Sequence, residues 1–155
     1  MTGVKDDFPD HALALLGEVM DGFRRDLVEA LQGPDATRVP APARGLRPSQ
    51  IRLLSLTPVE GMRVTDLAER VGMTKQALGE LANVLEQQGL LETVRDPADR
   101  RVRILRPTRR GRKAVEASEA VIAEIEAAWS ERLGQRKWAQ LRRLLAQANE
   151  ARAEH

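Results

Sequence analysis

Two groups of side chains in this sequence have the types and spacing to act on a polyanion. Between Arg95 and Lys113 stand nine Lys/Arg against two Asp, a local charge of +7 in a chain of net charge +2, so the remainder carries −5. Clustered cations of this kind are the footprint of phosphate binding, and the plainer alternative is a solvated basic face. Within the run, Arg100 and Arg101 follow the turn-rich stretch Asp96-Pro97-Ala98-Asp99. Arginine at the tip of a narrow hairpin can enter a minor groove, where the negative potential is strongest. Asp99 could hold an arginine guanidinium in place, and Arg95, Arg103, Arg106, Arg109 and Arg110 could line adjoining phosphates. Charge that merely protects a strand edge accounts for one or two arginines more easily than for nine cations in nineteen positions.

The second group lies on a helix predicted over residues 75–88. Leu78, Leu81, Ala82 and Leu85 share one face, and Gln76, Glu80, Asn83 and Gln87 share the other, with Lys75 at the tip. Gln and Asn can pair bidentately with adenine, and Lys can reach guanine or phosphate. Thr74 is placed to cap this helix, whose free N–H groups suit a backbone phosphate. Taken alone, the polar face is equally an ordinary solvated surface.

Other chemistry is excluded or unsupported. The chain has no cysteine, which rules out disulfides, thiolate metal sites and cysteine redox sensing. Its two histidines, His11 and His155, are too far apart in sequence to suggest zinc or haem. There is no glycine-rich phosphate loop and no nucleophile–base pattern, and a Glu92–Asp99 carboxylate pair would sit on a turn among arginines. The sequence therefore reads as a binding protein, not an enzyme, with no cofactor. No apolar run approaches the roughly 18 residues of a membrane helix, and no apolar stretch follows Lys5 to form a signal peptide. A cytoplasmic protein with no membrane partner is expected.

The elements that must position these groups follow from periodicity and breakers. An amphipathic helix is predicted from His11 to Leu31, with Ala12, Leu16, Val19, Phe23, Leu27 and Ala30 recurring on one side, and Gly33-Pro34 stopping it. Pro34, Pro40 and Pro42 make residues 33–45 a stiff connector with no helix expected. Pro48 opens a helix that Thr57-Pro58 closes. Thr65 is the expected cap of a short helix over Asp66–Val71, ended by Gly72. Strands are predicted at Leu91–Arg95 and Val102–Leu105. Thr108 caps a long helix to about Leu133, where Val115, Ile122 and Trp129 stand seven apart, and a last helix from about Arg136 to Ala151 carries Trp138, Leu141 and Leu145.

A short helix, a glycine turn, a second helix and a two-stranded ribbon follow one another in the order of a winged helix-turn-helix. The stretch from Leu46 to Gly111 resembles the MarR (multiple antibiotic resistance regulator) family. The matching residues are RPSQIRLL at 47–54, VTDLAERVGMTKQALGELANVLEQQGLLE at 64–92 and the wing DPADRRVRILRPTRRG at 96–111. The wing keeps an Asp-x-Arg at Asp99 and Arg101 and a Thr-x-x-Gly start at Thr108 and Gly111.

The resemblance implies a mainly α fold with a small β-wing, in four regions. These are an N-terminal dimerisation helix (8–32), a Pro-rich connector (33–46), a winged DNA-binding lobe (47–107) and C-terminal dimerisation helices (108–152). It implies a homodimeric transcriptional regulator, more often a repressor, on a pseudo-palindromic double-stranded operator. A small, often aromatic, effector would bind between the dimer region and the lobe, where His11, Trp129 and the proline connector are candidate contributors. The DNA-contact set it implies is Ser49, Thr74, Lys75, Gln76, Gly79, Glu80, Asn83, Asp99, Arg100, Arg101 and Arg103. The alternative is a winged-helix module for protein–protein assembly, which would not need minor-groove arginines.

The sequence also departs from the family. Arg47 replaces a Ser/Thr cap, Pro107 replaces a Leu and should end the second wing strand early, and Glu80 and Val84 replace basic residues. The 75–88 helix is thus net −1, and the wing is expected to supply most of the electrostatic affinity.

Overall fold

The computed structural model describes residues 10–153. Met1–Pro9, which include the expected start of the first region at residue 8, and His155 lie outside the described residues. The elements run α1 (Ala12–Gln32), a 3-10 turn (Pro34–Arg38), α2 (Pro48–Leu56), β1 (Met62–Arg63), α3 (Val64–Val71), α4 (Lys75–Gln87), β2 (Leu91–Arg95), β3 (Arg103–Pro107), α5 (Arg109–Leu133) and α6 (Gln135–Ala153). The strands form one antiparallel sheet in the order β1-β3-β2.

The lobe core explains why α2, α3, α4 and the ribbon fold together. Leu53, Leu54, Leu67, Leu78, Leu85, Leu91 and Leu105 are all fully buried in one cluster. Burying such a side chain is worth about 1.5–3 kcal/mol, so the polar faces are left outward by default. Gly72 ends α3 at φ 75° and Gly89 follows α4 at φ 70°, left-handed geometry that glycine adopts without a Cβ penalty.

Several expectations need correction. The connector is partly helical: Asp35, Ala36 and Thr37 sit inside a 3-10 turn. Arg44 holds it, donating to the carbonyls of Ala36, Thr37 and Val39 at 3.2, 3.1 and 3.0 Å. Thr65 is not a cap; α3 starts at Val64, directly from β1, and Arg63 takes the cap position with no side-chain cap bond. At the head of α2, Gln50 accepts the Arg47 N–H at 2.8 Å, the reciprocal half of a capping box, while the Gln50 N–H that a Ser/Thr would accept bonds the Arg47 carbonyl at 2.9 Å instead. Finally, β3 runs through Pro107, opposite Leu91. The Thr108 and Asp96 amides donate to Leu90 and Val102, so even-numbered β3 residues point their N–H at β2. Pro107 faces the other edge, where β1 has already ended, and its missing donor costs no ladder bond.

The Thr-x-x-Gly signature has a steric basis. The Thr108 hydroxyl donates to the Gly89 carbonyl at 2.6 Å and accepts from the Gly111 N–H at 3.0 Å. A Cβ on Gly111 would collide with the Leu90 carbonyl. Gly111→Ala should therefore lower stability by about 1–3 kcal/mol through overpacking, read as a lower melting temperature. An unchanged melt would show that α5 can back away from the strand.

Candidate nucleic-acid interface

The recognition face is built on α4 by its cap and its buried side. The Thr74 hydroxyl accepts the Ala77 N–H at 3.1 Å, which fixes the N-terminus. Leu78, Ala82 and Leu85 are buried, Leu81 is half-buried, and Lys75, Gln76, Glu80, Asn83 and Gln87 are exposed. A Cβ on Gly79 would meet nothing within 4 Å, so internal packing does not demand glycine there; it leaves bare backbone on the exposed side. Gln76 is not free: its amide donates to the Glu80 carboxylate at 3.3 Å, one turn away. Glu86 accepts from the Thr93 hydroxyl and ties α4 to the wing.

On the wing, Arg100 and Arg101 are exposed, and among the described residues neither guanidinium has a hydrogen-bond or salt-bridge partner. Asp99 accepts the backbone N–H of Arg101 at 3.0 Å. It shapes the turn and does not grip an arginine side chain, contrary to expectation. Arg95 and Arg103 are paired directly across the ribbon, both exposed. Like charges directly opposite destabilise a sheet, and an anion between them would relieve this. Arg106 is less available than expected, since its Nε donates to Glu92 at 2.7 Å. Ser49 stands on α2 and borders an apolar groove between α1, α2, α5 and α6, alongside Pro48 and Arg52.

Sequence reasoning missed Arg63. Its Nη2 lies 3.1 Å from the Asp96 carboxylate. Asp96 also accepts the Ala98 N–H at 2.9 Å. Chiefly through that backbone bond, with help from Arg63, its pKa is held below the ordinary carboxylate value. With Val64, Thr65, Arg101, Val102 and Arg103, Arg63 lines a cleft of about 370 Å³. No pattern could have paired residues 33 apart without knowledge of the two-residue β1. Among the described residues, no group of three or more His, Cys, Asp or Glu is placed to hold a metal ion, and no helix is long and apolar enough to cross a membrane.

A family model described as MarR family matches residues 44–102, the stretch that holds α2, both helices of the turn, β1, β2 and the wing tip. That segment is similar to the MarR family. Solved MarR-like structures extend the likeness beyond that stretch. The transcriptional repressor CouR bound to a 23-mer DNA duplex superposes with a TM-score of 0.74 at 24% identity, covering 90% of this chain and 93% of that one. CouR from Rhodococcus jostii RHA1 bound to p-coumaroyl-CoA gives 0.68 at 25%, covering 88% and 90%. PcaV from Streptomyces coelicolor, in complex with its natural ligand, gives 0.67 at 24%, covering 97% and 99%. A sequence comparison with curated proteins returned no match.

Two outcomes are expected of this face. Arg101→Ala should weaken duplex binding and flatten the log K against log salt slope by about one unit, if Arg101 neutralises one phosphate; an unchanged slope refutes that role. Glu80→Gln should strengthen binding to random duplex at low salt, because a carboxylate repelling phosphates is removed while the shape stays. Weaker binding to random duplex would mean that Glu80 is a needed acceptor.

Proposed function

We propose that this chain is a MarR-family homodimeric regulator that binds double-stranded DNA, acts as a repressor, and releases DNA when a small ligand binds. The observation that carries the reading is the exposed Arg100–Arg101 tip on a ribbon that the Thr93–Glu86 bond ties to α4, together with the capped, polar face of that helix. In a winged helix-turn-helix the second helix enters the major groove and the hairpin can reach an adjoining minor groove. The proposed contacts are Thr74, Lys75, Gln76, Gly79, Glu80 and Asn83 on the helix side and Asp99, Arg100, Arg101 and Arg103 on the wing, with Ser49 at the head of α2. The net −1 helix leaves the wing to supply the electrostatic affinity. This is binding chemistry rather than catalysis, and it belongs in the cytoplasm with the DNA. The likeness to CouR, seen on a duplex, supports it.

Dimerisation follows from what one chain leaves bare. Leu13, Leu16 and Met20 on α1 are 78%, 45% and 50% exposed, and Leu144 and Leu145 on α6 are 52% and 40% exposed. Such a surface favours a second copy as its cover. Two lobes held by these helices would meet successive major grooves of a palindromic site.

The effector site in this reading is the groove, about 720 Å³, walled by Phe23, Leu27, Ile51, Ile122 and Trp138. Arg24, Arg52 and Arg142 also line it; Arg24 pairs with Asp21 and Arg142 with Glu126. Its lining suits an apolar or aromatic body bearing an anionic group. His11 is not part of it, since its Nδ1 caps α1 by accepting the Ala14 N–H. Trp129 instead stacks on Phe23 at 4.5 Å and donates to Asp26. The ligand-bound CouR and PcaV structures support a ligand-responsive reading.

The test is selection of bound fragments from a random duplex pool by the purified protein, with its mass measured in solution. The expected result is a dimer and an enriched inverted repeat with half-sites about one helical turn apart. A protein that ignores every duplex in dilute buffer would overturn the proposal in favour of an assembly module.

A further inference from the structure

The wing is held from an unexpected direction. Strand order β1-β3-β2 places β3 between the edge strand β1, which bears Arg63, and the end of β2, which Asp96 follows. Arg63 is paired with Ile104, and Ile104 with Val94. Residues opposite one another point to the same sheet face, so Arg63 shares the Ile104–Val94 face. The Asp96 N–H donates to the Val102 carbonyl at 3.1 Å, which continues the same alternation two residues further along. The 3.1 Å bond from Arg63 to Asp96 therefore crosses the width of the three-stranded sheet over β3.

Both ends of this strap are anchored. Arg63 is the residue from which α3, the first helix of the helix-turn-helix, begins. The Asp96 side chain is only 13% exposed and also fixes the first bend of the wing through the Ala98 N–H. Beyond Asp96 the loop to Arg103 is held chiefly by short-range turn bonds, Val102 N–H to Asp99 and Arg101 N–H to the Asp99 carboxylate. Turn bonds give the tip a local shape but do not set its pitch relative to α3 and α4.

We propose that Arg63 is a positioning residue for DNA binding: by bonding to Asp96 it sets the pitch of the wing against the helix-turn-helix, so that Arg100 and Arg101 arrive in register with α4. This rests on the DNA-binding reading above and adds a residue outside the Asp-x-Arg signature. Arg63 acts through the wing tip. Its effect on affinity should exist only where the tip arginine exists to be positioned.

The experiment uses the full chain as wild type, Arg63→Ala, Arg63→Lys, Arg101→Ala and the Arg63→Ala/Arg101→Ala double variant. Backbone 15N order parameters at Ala98–Arg101 report the strap without DNA, and melting temperatures check folding. Binding to the selected duplex, or to random duplex if none is enriched, is read at fixed salt. Arg63→Ala should lower the order parameters of the tip and weaken binding by about two- to fivefold, the size expected of an exposed ion pair. Arg63→Lys should recover part of both. In the Arg101→Ala background, Arg63→Ala should cost less than it does in wild type, because only Arg100 is then left to position; such non-additivity marks residues that act together.

The proposal is overturned if the tip keeps its order in Arg63→Ala. It is also overturned if the two losses multiply in the double variant, which would make Arg63 an independent phosphate contact. If wild type binds no duplex, the DNA reading fails, the positioning role falls with it, and the order parameters still decide whether the strap exists. Should Arg63→Ala melt much earlier than wild type, the comparison passes to Arg63→Gln, which keeps a donor and removes the charge.

Discussion

One peptide group ties the molecule together, the carbonyl of Leu90. It lies between α4 and β2 and accepts the Thr108 N–H at the head of α5 at 3.1 Å. The Leu90 N–H in turn donates to the Leu85 carbonyl at 2.8 Å, so the C-terminus of the recognition helix is part of the same joint. Gly111 lets α5 approach that carbonyl with no side chain intervening. A buried backbone acceptor must be satisfied, and here the Thr108 N–H meets the need at 3.1 Å while the Thr108 hydroxyl serves the neighbouring Gly89 carbonyl. The cost of breaking it links three elements that would otherwise be free to slide. The long helix α5, against which α1 and α6 pack, is thereby coupled to the elements that carry the basic wing.

Charge is distributed across that joint with a clear division of labour. The α4 face holds polar groups and two carboxylates, Glu80 and Glu86, while the wing holds unpaired arginines. In the proposed reading, long-range attraction to a polyanion comes from the hairpin, and close-range discrimination from amides on the helix. Some of the basic run is spent internally. Arg106 is matched to Glu92, and the Arg112 guanidinium donates to the Pro107 carbonyl at 3.3 Å. The raw count of nine cations therefore overstates the footprint: Arg103 also donates to the Thr93 hydroxyl at 3.4 Å, and among the described residues the exposed cations of the run without such a partner are Arg95, Arg100, Arg101, Arg109, Arg110 and Lys113.

The helices were legible in the sequence because each combines a stripe with a stop. Thr74, Gly72, Gly89 and Gly134 bracket their helices within one residue of expectation, since cap and terminator chemistry is local. What escaped the sequence is what depends on distant pairing. The two-residue β1 has no period to detect and exists because β3 offers it a ladder. That strand then starts α3 two residues earlier than Thr65 suggested. The 3-10 turn among the prolines needs Arg44 folded back upon it, and the availability of each wing arginine needs the cross-strand register. Of the candidate site, the polar face of α4 and the tip arginines could be read from pattern, whereas the Gln76–Glu80 bond and the strap at Arg63 could not.

The apolar groove lies where a ligand would have the most leverage. It is walled by α1, α5 and α6 on one side and by α2 of the lobe on the other. Phe23 joins both walls of the dimer side, stacking on Trp129 at 4.5 Å and Trp138 at 5.9 Å, and a Cβ on Gly22 would press on Trp129 at 2.9 Å. That side is close-packed and does not yield to small loads. In the proposed reading, a molecule wedged into the groove would press on α2 of the lobe. A ligand shifts such an equilibrium only by its differential affinity for the two lobe positions. By reciprocity, DNA that holds the lobes at groove spacing must weaken the ligand by the same factor. Tight effector binding alone would thus not make a switch. The lobe has to be held differently in the two states, and because α2 packs on α5 within one shared core, any such shift must repack that contact.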